Sequence, residues 1–224
     1  MHLTMPRAAP QPARGLHQTP ARRAIDHAAE RQTLGDLNDA YQWAVYAHTL
    51  AHRTNHPAER LDAAAMLAPL AALTGHADQA VTAYRDLVDL ATAELGPSHE
   101  RTLYARAGMA EAHHRVGRCE KAIRDLADVY TTAAQRHGPE APVSLKALTQ
   151  LTCLYRDCGW HDVAHRCLTA ATTIAARYLP KGDPIRARIT DIAQTPAGEN
   201  HRAVCTQATP SWPAPSGLST AKTT

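Results

Sequence analysis

Apolar residues recur at intervals of three and four along most of this chain. Leu67, Leu70 and Leu73 are followed by Val81, Tyr84, Leu87 and Val88, and later by Met109, Val116, Ile123, Leu126 and Val129. That spacing is one face of an α-helix, and no stretch alternates with period two for long. The periodic runs are cut at regular places. Four segments line up: Gly35 to Ala40 (GDLNDA), Gly75 to Ala80 (GHADQA), Gly117 to Ala122 (GRCEKA) and Gly159 to Ala164 (GWHDVA). The last three glycines are 42 residues apart and the first two 40. Self-similarity at such a period is the mark of a stacked repeat.

A second landmark falls midway between these glycines. It is Leu95-Gly96-Pro97 before Thr102 and Leu103, then His137-Gly138-Pro139 before Ser144 and Leu145. A degenerate third copy runs from Leu179 to Pro184. Seven of the 11 glycines (35, 75, 96, 117, 138, 159 and 182) therefore sit at two alternating break points. Gly supplies the left-handed backbone that ends a helix, and a following Pro cannot continue one. Each repeat thus reads as two helices of roughly 17–19 residues, about 27 Å long at 1.5 Å per residue. One such pair cannot bury both apolar faces, so neighbours must stack. Residues 183–194 read as a capping helix with Asp183 as N-cap, Pro184 in the first turn, and Ile185, Ile189 and Ile192 on one face.

With these landmarks the chain resembles the tetratricopeptide-repeat proteins, in the 42-residue variety of kinesin light chains and many bacterial proteins. The family's small residue early in the second helix matches Ala80, Ala122 and Ala164, with small partners twelve residues earlier at Ala68, Ala110 and Thr152. The large apolar position just before those partners is Leu67, Met109 and Leu151, and Tyr84, Leu126 and Leu168 follow the alanines by four. The family's first-helix Tyr appears only as Tyr155; Ala71 and His113 replace it elsewhere. The resemblance is clear over 35–194 and weaker back to 21. It implies an all-α, right-handed α-solenoid of about four helix-turn-helix repeats plus a capping helix.

Composition fits that class and sets limits on partners. Hydrophobic residues make up 44% of the chain, aromatics only 4%, and Phe is absent; Ala and Leu, both good helix formers, dominate. The net charge of +3 is unevenly spread. Residues 1–23 hold four arginines and no acid, whereas 24–194 carry 18 basic and 20 acidic side chains. A nucleic-acid-binding body would show a basic stripe on its folded part, so no nucleic acid is expected as partner. No apolar run nears the ~20 residues of a membrane helix, and the N-terminus lacks a secretory apolar core. Five cysteines without paired spacing point to a reduced, cytoplasmic setting. The Ala-, Arg- and His-rich, Lys-poor composition suggests a high-GC bacterial genome. Three parts follow: a basic, disordered tail at 1–20, the repeat domain at 21–194, and a Pro/Thr/Ser-rich disordered tail at 195–224 in which Trp212 is a candidate docking motif.

Candidate chemistry is sparse. No G-x-S-x-G, Walker-type, G-x-G-x-x-G or H-E-x-x-H pattern occurs, and an enzyme is not expected. The sharpest constellation is Cys153, Cys158, His161 and His165. Zinc wants four converging soft or borderline ligands. Repeat alignment instead places Cys158 with Val116 and His165 with Ile123 and Val81, at core positions, so no metal is expected there. His48 with His52, and the adjacent His113 and His114, are further pairs without an evident third ligand. Pro69 should bend its helix, and Gly108 costs its helix roughly 1 kcal/mol against Ala. Either opens a route for a ligand to the backbone; close packing or plain tolerance is the structural alternative.

The resemblance also implies a binding surface, because in this family the first helices line a concave face. Its contact positions fall here on Asp62, Ala65, Pro69, Ala72 and Leu73 in one repeat. The next gives Tyr104, Ala107, Glu111, His114 and Arg115, and the last Lys146, Thr149, Cys153, Arg156 and Asp157. An earlier repeat adds Arg22, Ile25, Ala29, Gln32 and Thr33. The groove is then small and apolar at one end and basic at the other. The expected partner-binding residues are Tyr104, Glu111, His114, Arg115, Lys146 and Arg156, and the expected partner is a protein or peptide, an acidic or C-terminal one suiting the basic end. Such a chain is expected to act as a scaffold or adaptor, as a monomer or weak dimer. Two alternatives stay open: the sensor portion of a peptide-responsive transcriptional regulator or signalling ATPase, and a Cys/His metal-binding protein.

Overall fold

A computed structural model describes residues 18–54 and 56–194. These residues form nine α-helices and no strand: α1 (Pro20–Thr33), α2 (Leu37–Arg53), α3 (Pro57–Leu73), α4 (Ala77–Leu95), α5 (Glu100–Arg115), α6 (Cys119–His137), α7 (Pro142–Asp157), α8 (His161–Tyr178) and α9 (Pro184–Gln194). Each helix packs on the next in the chain, and the odd-numbered helices also touch in succession, α1 to α3 to α5 to α7 to α9. The even-numbered helices make no such approach to one another among the described residues. Close first helices and splayed second helices curve the stack, with the odd helices on its inner side. The result is an all-α helical-repeat solenoid, as the repeat pattern implies. The tails 1–17 and 195–224, with Trp212, lie outside the described residues. No described helix is long and apolar enough to cross a membrane.

The turn inside each repeat shares one hydrogen bond four times, from the residue after the glycine to the carbonyl five residues earlier, and three of the turns add a second from the glycine itself. After α1, the Gly35 N–H donates to the Gln32 carbonyl and the Asp36 N–H to that of Arg31, at 3.1 and 3.0 Å. After α5, Gly117 and Arg118 donate to His114 and His113, and after α7, Gly159 and Trp160 donate to Arg156 and Tyr155. This pairing satisfies carbonyls that a helix end otherwise leaves open. It needs a left-handed residue, and Gly35, Gly75, Gly117 and Gly159 take φ of 80, 84, 80 and 82°.

The turns between repeats use glycine differently. Gly96 and Gly138 have φ of 93 and 96° with ψ of 160 and 150°, an extended positive-φ region that is essentially glycine-only. The left-handed conformation expected from sequence is therefore replaced there. The turned carbonyls explain it. Gly96 O accepts from Thr102 Oγ1 at 2.8 Å and Gly138 O accepts from Ser144 Oγ at 2.7 Å. Both hydroxyl residues are fully buried, one repeat apart. Gly182, grouped with these glycines on sequence, has no positive φ; the chain turns there without one.

Alanine builds the core. Ala68, Ala80, Ala110 and Ala122 are wholly inaccessible, Thr152 and Ala164 nearly so. These are the small-residue positions of the repeat, and they let paired helix backbones approach closely. Larger side chains fill the space beside them, and from α5 onward one continuous core includes Leu103, Leu126, Leu145, Leu148, Leu151 and Tyr155. α9 closes that end as expected: Asp183 Oδ1 accepts from the Ile185 N–H at 2.8 Å, and Ile189 and Ile192 are buried. The helices run from 11 to 19 residues, and the first helices α1, α5 and α7 are shorter than sequence suggested.

Both helix oddities resolve as structure. α3 continues through Pro69 to Leu73. A Cβ at Gly108 would lie 2.3 Å from Tyr84 Cε1, so Gly108 is the notch that admits the Tyr84 ring of α4 against α5. Burial pushes the Tyr84 phenol up to about 12, aided by the Glu111 carboxylate.

Two stability outcomes follow. Gly96→Ala should lose about 1–3 kcal/mol in urea unfolding, the cost of a non-glycine residue held in that region, while Gly182→Ala should change stability little. Gly108→Ala should also destabilise by about 1–3 kcal/mol through overpacking. Its effect should shrink or reverse in a Tyr84→Ala background, and additivity of the two changes would contradict the notch.

Candidate functional site

The inner face is laced by side chains that reach from one first helix to the next. On α3, Asp62 accepts from Arg22 of α1 at 3.1 Å and from Arg101 of α5 at 3.0 Å. Thr19 donates to Glu59 at 2.6 Å. Arg115 of α5 donates to the Ala72 carbonyl at 3.1 Å and to Glu111 at 2.8 Å. Gln150 of α7 donates to the other Glu111 oxygen at 3.1 Å. Arg156 donates to the Ile192 carbonyl of α9 at 3.0 Å. Apart from Arg115 with Glu111, which lie one turn apart on α5, these contacts join positions about one repeat apart, which stacking brings side by side.

Beyond the lattice, the odd helices α5, α7 and α9 enclose a groove of about 1030 Å³. Its lining includes Tyr104, Glu111, His114, Arg115 and Lys146, five of the six residues expected from sequence. Arg156 is not among them; its guanidinium is engaged with the end of α9. The Lys146 ammonium instead sits 4.9 Å from the centre of the Tyr104 ring, a cation–π distance. Burial and the Glu100 carboxylate raise the Tyr104 phenol above its ordinary value. Thr149, Cys153 and Asp157 also line the groove, whereas Ala107 and Ile25 are buried in the core.

Sequence reasoning missed the contribution of α9. Treated only as a cap, it also supplies Pro184, Ile185, Arg188 and Ile192 to the groove wall. The signal was present: Arg188 lies off the face formed by Ile185, Ile189 and Ile192. The groove charges are then Arg115, Lys146 and Arg188 against Glu111 and Asp157. Arg115 is matched by Glu111, while Lys146 and Arg188 make no ion pair among the described residues.

The Cys/His cluster read from sequence does not converge. His161 and His165 are exposed on α8, because among the described residues no further repeat packs over that surface; alignment with the buried Ile123 therefore misplaces His165. Cys153 turns to the groove, and burial raises its thiol above the usual value. Cys167 is buried and pushed to about 11. His48 and His52 pair at 3.1 Å on α2, and burial with the neighbouring His52 lowers His48. A different set does come together: His114, Cys119 and Cys158 place their ligand atoms within 4.8 Å of one another. His114 and Cys119 are buried and Cys158 is half-buried. The described cysteines form no disulfide.

No family model matches this chain, and no curated protein is similar to it. Solved structures are. One is a crystal structure of nearly identical kinesin-light-chain TPR-like repeats from Podosopora anserina, 22% identical, covering 80% of this chain and 90% of that one, with a TM-score of 0.62. A single-substitution variant of that protein has a TM-score of 0.63 over the same coverage. BtubC (BKLC) from P. vanneervenii is 17% identical over 83% of this chain and 84% of its own, with a TM-score of 0.58. At these identities the likeness is one of fold, and it agrees with the 42-residue spacing, the paired alanines and the stacked first helices: the chain has the fold of a kinesin-light-chain-like tetratricopeptide-repeat solenoid.

Proposed function

We propose that this solenoid is a protein-interaction scaffold whose inner groove, between α5, α7 and α9, holds an extended acidic segment of a partner protein. The observation that carries the reading is the pair of cations, Lys146 of α7 and Arg188 of α9, which line one open groove without carboxylate partners among the described residues. A carboxylate entering there makes charge-assisted hydrogen bonds in a partly desolvated space. Tyr104, already carrying Lys146 over its ring, presents an amphipathic surface of the kind that anchors interfaces. Ile185, Ile192 and Leu154 supply apolar contact beside it. The role is binding, with no bond-making step assigned to the groove.

Arg115 and Arg156 take a different part. Their guanidinium groups hold Ala72, Glu111 and the end of α9, which fixes the groove walls in place before a ligand arrives. Preorganisation of this kind lowers the cost of binding.

The test is selection from a randomised library of extended peptides, followed by fluorescence polarisation on the selected sequences. Peptides rich in Asp and Glu, or relying on a free C-terminal carboxylate, should be enriched. Lys146→Ala and Arg188→Ala should each weaken them about tenfold or more, since a hydrogen bond to a charged group contributes roughly 1.5–3 kcal/mol, and affinity should fall with salt. Enrichment of neutral or basic peptides, or affinity unchanged in the double variant, would contradict the proposal.

A further inference from the structure

We propose that His114, Cys119 and Cys158 form a binding site for Zn2+ at the junction of α5, α6 and α7. The three ligand atoms lie within 4.8 Å of one another, and His114 Nε2 is 3.8 Å from Cys158 Sγ. Tetrahedral zinc, with bonds of about 2.3 Å to sulfur and about 2.0 Å to nitrogen, separates neighbouring donors by roughly 3.6–3.8 Å. One observed separation already has that value, and the others need to close by about 1 Å at most. The donor set is two thiols and an imidazole, the soft and borderline mix that zinc selects over hard cations.

The backbone carrying these ligands is fixed. His114 belongs to the last turn of α5, and its carbonyl accepts from the Gly117 N–H at 2.9 Å. Cys119 is the first residue of α6, where the free N–H groups and helix dipole favour a thiolate. Cys158 caps α7, and its N–H donates to Leu154 at 3.0 Å. Three ligands from three elements thus meet where two of the repeat turns stack. His114 is 6% exposed and Cys119 3%. Two thiolates neutralise a divalent cation, so the occupied site carries no net charge into this buried place. His114 and Asp157 both line the groove, so water or a carboxylate is within reach from that side to complete the coordination.

The site is independent of the peptide reading, because its test follows the ion alone. Purified full-length protein, reduced with a phosphine and stripped with a chelator, is titrated with Zn2+ against a chromophoric chelator and separately with Co2+. One equivalent should bind, and the cobalt form should show the near-ultraviolet thiolate-to-metal absorption of two sulfur ligands. Cys119→Ser with Cys158→Ser should abolish that band and weaken Zn2+ at least about 100-fold. His114→Gln should weaken Zn2+ while keeping the thiolate band. His161→Ala with His165→Ala should bind as wild type. Circular dichroism checks that the variants fold, and the wild-type cobalt spectrum stands without them. Absence of the thiolate band in wild type, undiminished Zn2+ binding by the double serine variant, or loss of binding in the His161/His165 variant would overturn the proposal.

Discussion

Everything in this molecule depends on how closely the two helices of each repeat approach. Ala68, Ala80, Ala110 and Ala122 offer no side chain beyond a methyl at the small-residue positions of the repeat, and all four are inaccessible to solvent. Close approach within a pair leaves the first helices free to touch their counterparts in neighbouring pairs, while the second helices splay. The curvature, and therefore the groove, is a consequence of that asymmetry. Between repeats, Gly108 makes room where the Tyr84 ring of α4 packs against α5.

The elements set by local stereochemistry were legible in the sequence. A 42-residue spacing of glycines marks turns that only a positive φ can make, and in four of them the residue after the glycine donates to the carbonyl five residues earlier. The alanine positions follow from the same register. Legibility fell where a side chain had a choice of partners. Arg156 and Lys146 are both cations on one face of the same helix, yet the first is spent on the Ile192 carbonyl and the second lies over Tyr104. No periodicity separates them; the position of α9 decides. His165 failed for a related reason, since a position that is core between two repeats is surface at the last repeat among the described residues.

The polar lattice along the inner face changes what the groove can offer. Arg22, Arg101, Arg115 and Arg156 all point charge toward neighbouring repeats, so a simple count of basic residues overstates the attraction for an acidic partner. Exposed pairs of this type contribute little to stability individually, but they bridge successive helices and hold their spacing. Lys146 and Arg188 remain as groove cations that make no ion pair among the described residues, alongside the Asp157 carboxylate. The His114, Cys119 and Cys158 cluster was equally invisible along the chain, because its members are separated by 5 and then 39 residues and meet only once the turns are stacked.

The most direct measurement is site-specific photo-crosslinking in cells that express the full chain. A photoreactive residue replaces Ile185 on the groove wall in one variant, and the exposed Thr169 on the outer helix α8 in another. A partner joined to position 185 and not to 169, through a segment rich in Asp or Glu, is the expected result. A partner captured from position 169 alone would place recognition on the outer face and contradict the account.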